Sequence, residues 1–238
     1  MTSWATKKFW KNAEVAATEG GFEVLLDGRK LRTPSKAALV IPTLEIAQKV
    51  AREWQSQDTK IDPVTMPVTR MANSAIDKVA HQFDAVADML ASYGETDLLC
   101  YRAAFPIELV EKQHAVWTPF LLWAETTFDA PLVLGEGIMH VAQPAASIEK
   151  LRAPVFALNT FELVAFHDLV AISGSLVLGL AALHAFKSPE DIWQASRLDE
   201  NWQESQWGQD DEATELAAKK RQAFFEAIEF YQGLQVAP

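Results

Sequence analysis

The run Ala13-Glu-Val-Ala-Ala-Thr-Glu-Gly-Gly-Phe-Glu-Val-Leu-Leu-Asp-Gly-Arg-Lys-Leu-Arg-Thr-Pro34 decides the fold class. Ala13 to Thr18 and Phe22 to Asp27 are short β-compatible stretches, and Glu19-Gly20-Gly21 between them is a turn signal. Asp27-Gly28 reads as a tight turn into Arg29 to Thr33, which Pro34 ends because proline cannot donate to a strand ladder. Ala38 to Ile41 adds a short strand stopped by Pro42. Together these segments predict a small antiparallel sheet.

Downstream the period changes. Thr43 is placed to cap a helix running to about Gln57, with Leu44, Ala47, Val50, Ala51 and Trp54 on one face. Such a helix can cover one side of the sheet. Asp58 to Val68 holds Pro63 and Pro67 and reads as a linker. From Thr69 the pattern is helical almost throughout. Met71 to Tyr93 carries an apolar stripe, and prolines then divide segments near 107–118, 120–127, 147–153, 160–172, 175–186, 189–205 and 211–232. The expected class is α+β and mostly helical: a small antiparallel-β domain with a helix over residues 1–68, then an all-α domain over 69–238.

Composition narrows the function. The 238 residues are 49% hydrophobic, with eight Trp and thirteen Phe, enough for a sizeable core. A net charge of -11 argues against nucleic acid and anionic membrane surfaces. One cysteine, Cys100, excludes an internal disulfide framework. The apolar run Leu169 to Leu183 is shorter than the roughly 20 residues of a membrane span, so a buried helix is expected there. The first residues carry no secretory signal.

Catalytic chemistry finds little support. Neither GxxxxGK[ST] nor GxGxxG occurs, and Gly135-Glu-Gly137 reads as a loop. His81, His114, His140, His167 and His184 show no metal-ligand spacing, so neither metal nor cofactor is implied. His167-Asp168 lacks a GxSxG partner, and Cys100 lies in an apolar run where a thiol packs as a small hydrophobe.

The C-terminal fifth is different. Residues 189–238 hold eleven acids and four bases, against twenty-one and seventeen before them. Within Ser196-Arg-Leu-Asp-Glu-Asn-Trp-Gln-Glu-Ser-Gln-Trp-Gly208, helical spacing puts Glu200, Gln203, Glu204 and Trp207 on one face. The same spacing separates Asp199 from Glu200. Two readings are open: a solvated helix whose Trp207 enters the core, or a recognition face of acids around an aromatic anchor. At Thr96 to Arg102, Thr96 is placed to cap the following turn, Asp97 is expected at the helix N-terminus and Arg102 in a buried ion pair.

These blocks also carry a family resemblance. Leu26-Asp-Gly-Arg-Lys-Leu-Arg-Thr-Pro34, Glu53-Trp54 with Gln57, Met66-Pro-Val-Thr69, Ala75-Ile-Asp77, Tyr93, Thr96 to Arg102, Gln113 with Trp117-Thr-Pro119, Ser173-Gly-Ser175 and Ser196 to Gly208 stand in one order. In this the chain resembles the ATP synthase F(1) complex assembly factor 2 family, from about residue 8 to 230. It departs at Thr118, where the family often has Asp. The resemblance implies two domains and no catalysis, nucleotide, cofactor or metal. It also implies binding to the free alpha subunit of the F(1)-ATPase until the beta subunit replaces it. By position, Glu200 matches the family's functional acid, with Gln203, Glu204, Trp207 and Glu212 beside it, while Trp54, Asp97 and Arg102 belong to structural motifs. The absence of a presequence suggests a member of bacterial cytoplasm, or of the mitochondrial matrix if processed from a eukaryotic precursor; a monomer is expected. Two other readings stay open: a hydrolase using the Glu200, Asp210 and Glu212 carboxylates, and a general acidic adaptor.

Overall fold

The computed structural model describes residues 7–235. The chain forms two compact units: residues up to Phe83 with Asn159–Ala165 and the residues from Glu229 on, and Asp84–Leu158 with Phe166–Ile228. The sheet's unit therefore extends past residue 68 and takes back two later segments.

In the first unit, β1 (Ala13–Thr18) and β2 (Gly21–Leu26) form an antiparallel hairpin, with β3 (Arg29–Lys30) and β4 (Val40–Ile41) both on the far side of β2. The sequence fragment through Gly21 turns as expected. Gly21 is required for a further reason: a Cβ there would stand 2.3 Å from the Ile41 oxygen, where β4 joins the sheet. The Asp27-Gly28 turn has positive φ at both residues, the backbone that a two-residue hairpin demands. The Asp27 carboxylate accepts from the Lys11 and Asn12 amides, which hold it below the usual carboxylate range, Asn12 most.

Helix α1 (Leu44–Gln55) starts at Thr43, whose side chain accepts from the Ile46 amide and donates to the Gly233 carbonyl. It buries Ile46, Ala47, Val50, Ala51 and Trp54; Leu44, expected on that face, is 42% exposed, and Ile46 takes the place. Trp54 packs on Trp10 with ring centroids 5.1 Å apart.

The expected linker is structured. Asp62 caps a short turn at Pro63–Thr65, and Pro67 is the first residue of α2 (Pro67–Asp77), where a missing N–H costs nothing. Glu53 explains this start. Its carboxylate accepts from the Val68 amide at 2.7 Å and from the Thr69 amide and hydroxyl at 2.8 and 2.6 Å. The orphan donors of α2 are thus met by an anion from α1. At the other end of α2, Asp77 accepts from Thr33 Oγ1 at 2.6 Å and the Ser35 amide at 3.0 Å. The stripe from Met71 to Tyr93 is consequently not one helix. It divides into α2, a turn at Val79–His81 and α3 (Phe83–Ala91), because the boundary between units falls inside it.

The second unit is helical: the rest of α3, then α4 (Ile107–Phe128), α5 (Ala145–Phe156), the later part of α6 (Thr160–Ser173), α7 (Leu176–Leu183), α8 (Pro189–Ser196), α9 (Leu198–Trp207) and most of α10 (Asp211–Leu234). A two-stranded parallel pair, β5 (Tyr101–Arg102) with β6 (Gly135–Glu136), is the one sheet here that the sequence pattern did not announce. Pro119 was expected to divide α4, yet the helix runs through it. Proline inside a helix costs about 3 kcal/mol. Trp117, Phe120, Leu121 and Ala124 bury into one core on both sides of it, and each large side chain contributes about 2 kcal/mol. Burial wins. The helix expected over Pro189 to Ser205 instead breaks at Arg197, which has φ -108° and ψ 12° and separates α8 from α9. Leu169 to Leu183 divides likewise at Gly174, in left-handed backbone, with Ser175 capping α7. Among the described residues no helix is long and apolar enough to cross a membrane.

Trp54→Arg is expected to lower unfolding stability by about 3 kcal/mol or more, since it removes a buried ring and puts a charge against Trp10. Denaturant unfolding of the full chain checks this. An unchanged midpoint would show that the ring contributes no packing.

Candidate functional site

Two buried side chains order the surroundings of the acidic helix, one at the corner beside it and one bonded to it. The first is Asp97, 0% exposed, whose carboxylate accepts from the Leu99 amide at 3.0 Å, Ser175 Oγ at 2.7 Å and the Val177 amide at 3.0 Å. Burial raises its carboxyl above the usual carboxylate range, while the donors of Val177, Ser175 and Leu99 pull it back. Asp97 thus caps the 98–100 turn, the role expected of Thr96, and also the start of α7, which local sequence could not show. Leu98 N donates to the Gly174 carbonyl at 3.3 Å, closing the same corner.

The second is Gln113, 1% exposed on α4. Its Oε1 accepts from the Ala103 amide at 2.8 Å and its Nε2 donates to Asp199 at 2.7 Å. Arg102 was expected in an ion pair. It donates instead to the Leu99 carbonyl at 3.0 Å and the Gln113 carbonyl at 2.7 Å, with its guanidinium over the Trp117 ring. The two carbonyls meet Nε and one terminal nitrogen, Nη2 is left buried without a hydrogen-bond partner, and Asp199 still acts on the guanidinium through space. Trp117 Nε1 donates to the Ala195 carbonyl at 2.8 Å, tying α4 to the end of α8.

On this frame α9 borders a groove of about 380 Å³ whose lining includes Leu98, Gly174, Asp199, Glu200, Gln203 and Lys220. Of the expected site residues, Glu200 and Gln203 come together here. Asp199 and Glu200 both line the groove, although adjacent helical positions suggested separate sites; Asp199 is committed to Gln113. Arg197, whose side chain is 15% exposed, pairs with Glu204 at 2.8 Å and reaches Glu200 at 3.7 Å. Glu204 is therefore held, whereas the Glu200 side chain stays 52% exposed with only a long contact.

Trp207 does not enter the core. It is 82% exposed at the end of α9, just before Gly208 turns the chain. Between residues 198 and 215 stand seven acids and no base. Glu212 is exposed on α10 and does not line the groove. Arg197 and Lys220 were missed by sequence reasoning. Arg197 carries a local signal in its spacing to Glu200 and Glu204; Lys220 reaches the groove from another helix and carries none.

The catalytic alternatives do not assemble. Of Glu200, Asp210 and Glu212, only Glu200 lines the groove, and Asp210 accepts from the Ala213 amide at 2.8 Å to start α10. Cys100 is 2% exposed, and burial, with the Asp97 charge adding to it, pushes its thiol up to about 12. Such a thiol stays protonated.

Known proteins share this architecture. The family model described as ATP12 chaperone protein matches residues 7–125. The crystal structure of Atp12 from Paracoccus denitrificans is 45% identical, covers 98% of this chain and 100% of its own, and superposes with a TM-score of 0.94. A chaperone-described protein of Agrobacterium tumefaciens is 38% identical over 96% of this chain and 86% of its own, with a TM-score of 0.92. The mitochondrial protein atp12 of Schizosaccharomyces pombe is 26% identical over 224 residues, 88% of this chain and 76% of the yeast protein.

Asp97→Asn is expected to cost about 1–3 kcal/mol, because an amide N–H₂ would face donors that now meet a carboxylate. Thermal unfolding beside Ser175→Ala, which removes one donor only and should cost less, measures it. Equal melting of Asp97→Asn and the parent would show that the corner holds without the carboxylate.

Proposed function

Because the chain belongs to the family of ATP12 chaperone proteins, we propose that it binds the free alpha subunit of the F(1) sector of ATP synthase. It covers the alpha subunit's interface until the beta subunit takes its place. An unassembled subunit of an obligate complex exposes a large apolar surface that aggregates unless covered. The observation that carries this reading is Trp207, 82% exposed at the end of a helix whose acidic side opens on a groove. A Trp seated in a partner pocket can supply 2 kcal/mol or more of binding. Glu200, Gln203 and Glu212 then orient the partner by charge and hydrogen bonding, while Glu204 stays with Arg197.

Few anchors suit a chaperone, since the complex must be displaced. The compartment follows from the client: bacterial cytoplasm or mitochondrial matrix, consistent with relatives of both kinds. A general acidic adaptor would bind chiefly through the seven acids of residues 198–215, and its binding would fall steeply with salt.

Immobilised protein should retain separately expressed alpha subunit and not beta, at moderate salt. Glu200→Lys and Trp207→Ala should each weaken retention at least tenfold, while unfolding stability changes by no more than about 0.5 kcal/mol, as for exposed sites. Equal retention of beta, or full retention by both variants, would sink the reading.

A further inference from the structure

Within the first unit lies a cavity of about 310 Å³ bordered by Phe9, Arg29, Arg32, Pro34, Trp54 and Asn73. That is the small end of ligand pockets, which run to about 300–1,000 Å³. Whereas the groove beside α9 is lined by two acids and two bases, the charged lining of this cavity is basic throughout. Arg29, Lys30 and Arg32 stand within four residues at its edge, in a chain of net charge -11. Lys30 is paired with Glu23 at 2.7 Å, and Arg32 donates to the Lys36 carbonyl at 2.9 Å. Neither Arg29 nor Arg32 has an acid at ion-pair distance among the described residues. Asp27, which Arg29 influences through space, is already held by two backbone amides.

Asn73 is the second observation. It is only 8% exposed, it lines the cavity from α2, and its side-chain oxygen has no hydrogen-bond partner. An unmet buried acceptor costs about 1–3 kcal/mol, so such groups call for an explanation. A ligand N–H would supply the missing donor. Phe9 and Trp54 offer apolar walls, and β3, whose residues Arg29 and Lys30 face the cavity, is an edge strand of the sheet. An edge strand pairs with an extended chain.

We propose that this cavity binds an extended peptide segment in which a carboxylate side chain stands next to an apolar one. The carboxylate meets Arg29 and Arg32, the apolar side chain lies against Trp54, and a peptide N–H reaches Asn73. Guanidinium forks suit carboxylate and phosphate alike, and the unmet Asn73 acceptor decides for a peptide carboxylate, because a peptide brings N–H donors beside its charge. Its lining shares no residue with the groove at Glu200.

The probe is N-acetyl-Leu-Glu-Phe-Glu-amide, compared with N-acetyl-Leu-Gln-Phe-Gln-amide, hexanoate and inorganic phosphate, titrated into the ¹⁵N-labelled full chain. The acidic peptide should saturate, shifting the Trp54 indole and the amides of Arg29 to Thr33, and the glutamine peptide should bind at least tenfold more weakly. Arg29→Glu should weaken binding at least tenfold with melting unchanged. Asn73→Leu, which removes the unmet acceptor, should also weaken binding while melting stays level or rises. Glu200→Lys should leave the titration untouched, so failure here and failure of the proposed function are separable. No saturation at millimolar peptide, equal binding of the glutamine peptide, or hexanoate or phosphate binding as tightly would each overturn the proposal. So would Asn73→Leu that melts lower and binds normally.

Discussion

The corner that lines the groove beside the acidic helix depends on one buried carboxylate. Asp97 has no exposure, and its oxygens are shared between the turn at Leu98–Cys100 and the first turn of α7. A buried anion is costly unless its lone pairs are met, and here backbone amides and a serine hydroxyl meet them. That requirement brings Leu98 next to Gly174, at the lining of the groove beside α9. Gln113 continues the same logic. It links Ala103 to Asp199, so one of two adjacent acids is fixed inward and its neighbour Glu200 is left open to solvent.

The first unit is held by the same device, repeated. Glu53 serves the start of α2, and Asp77 at its end serves the loop after β3. Each joins residues far apart in the chain through a carboxylate that meets backbone donors. Such contacts give orientation as well as stability, since a carboxylate binding two or three donors tolerates little displacement. They account for why Glu53, Met66 to Thr69, Thr33 and Asp77 fall in the blocks that carry the resemblance.

Charge is partitioned in a way that net charge conceals. The excess of acids sits on α9 and the start of α10, leaving Trp207 as a large apolar group at its edge. Arg29, Lys30 and Arg32 form a basic edge on the other unit, next to an acceptor that has no donor. Both features are local, and neither follows from the total of -11. The C-terminal motif thus differs from a plain solvated helix: Glu204 is tied to Arg197, Asp199 to Gln113, and only Glu200 and Gln203 remain open on the groove.

The sequence by itself determined the elements whose signals are local. Alternation and the Asp27-Gly28 turn announced the hairpin, Thr43 announced a helix start, and spacing put Glu200, Gln203, Glu204 and Trp207 on one helix. The family blocks were legible for the same reason. Tertiary structure decided whatever depends on distant partners. Pro119 stayed inside α4 because burial on both sides outweighs the lost hydrogen bond, and Pro67 opened a helix because Glu53 caps it from elsewhere. Arg102 took carbonyls in place of an acid, and Lys220 reached the groove from a separate helix. Local propensity is worth tenths of a kcal/mol to about 1 kcal/mol per residue, whereas burial and buried polar contacts are worth several. Where the two disagree, the larger sets the structure, and it is written in contacts that no single stretch of sequence contains.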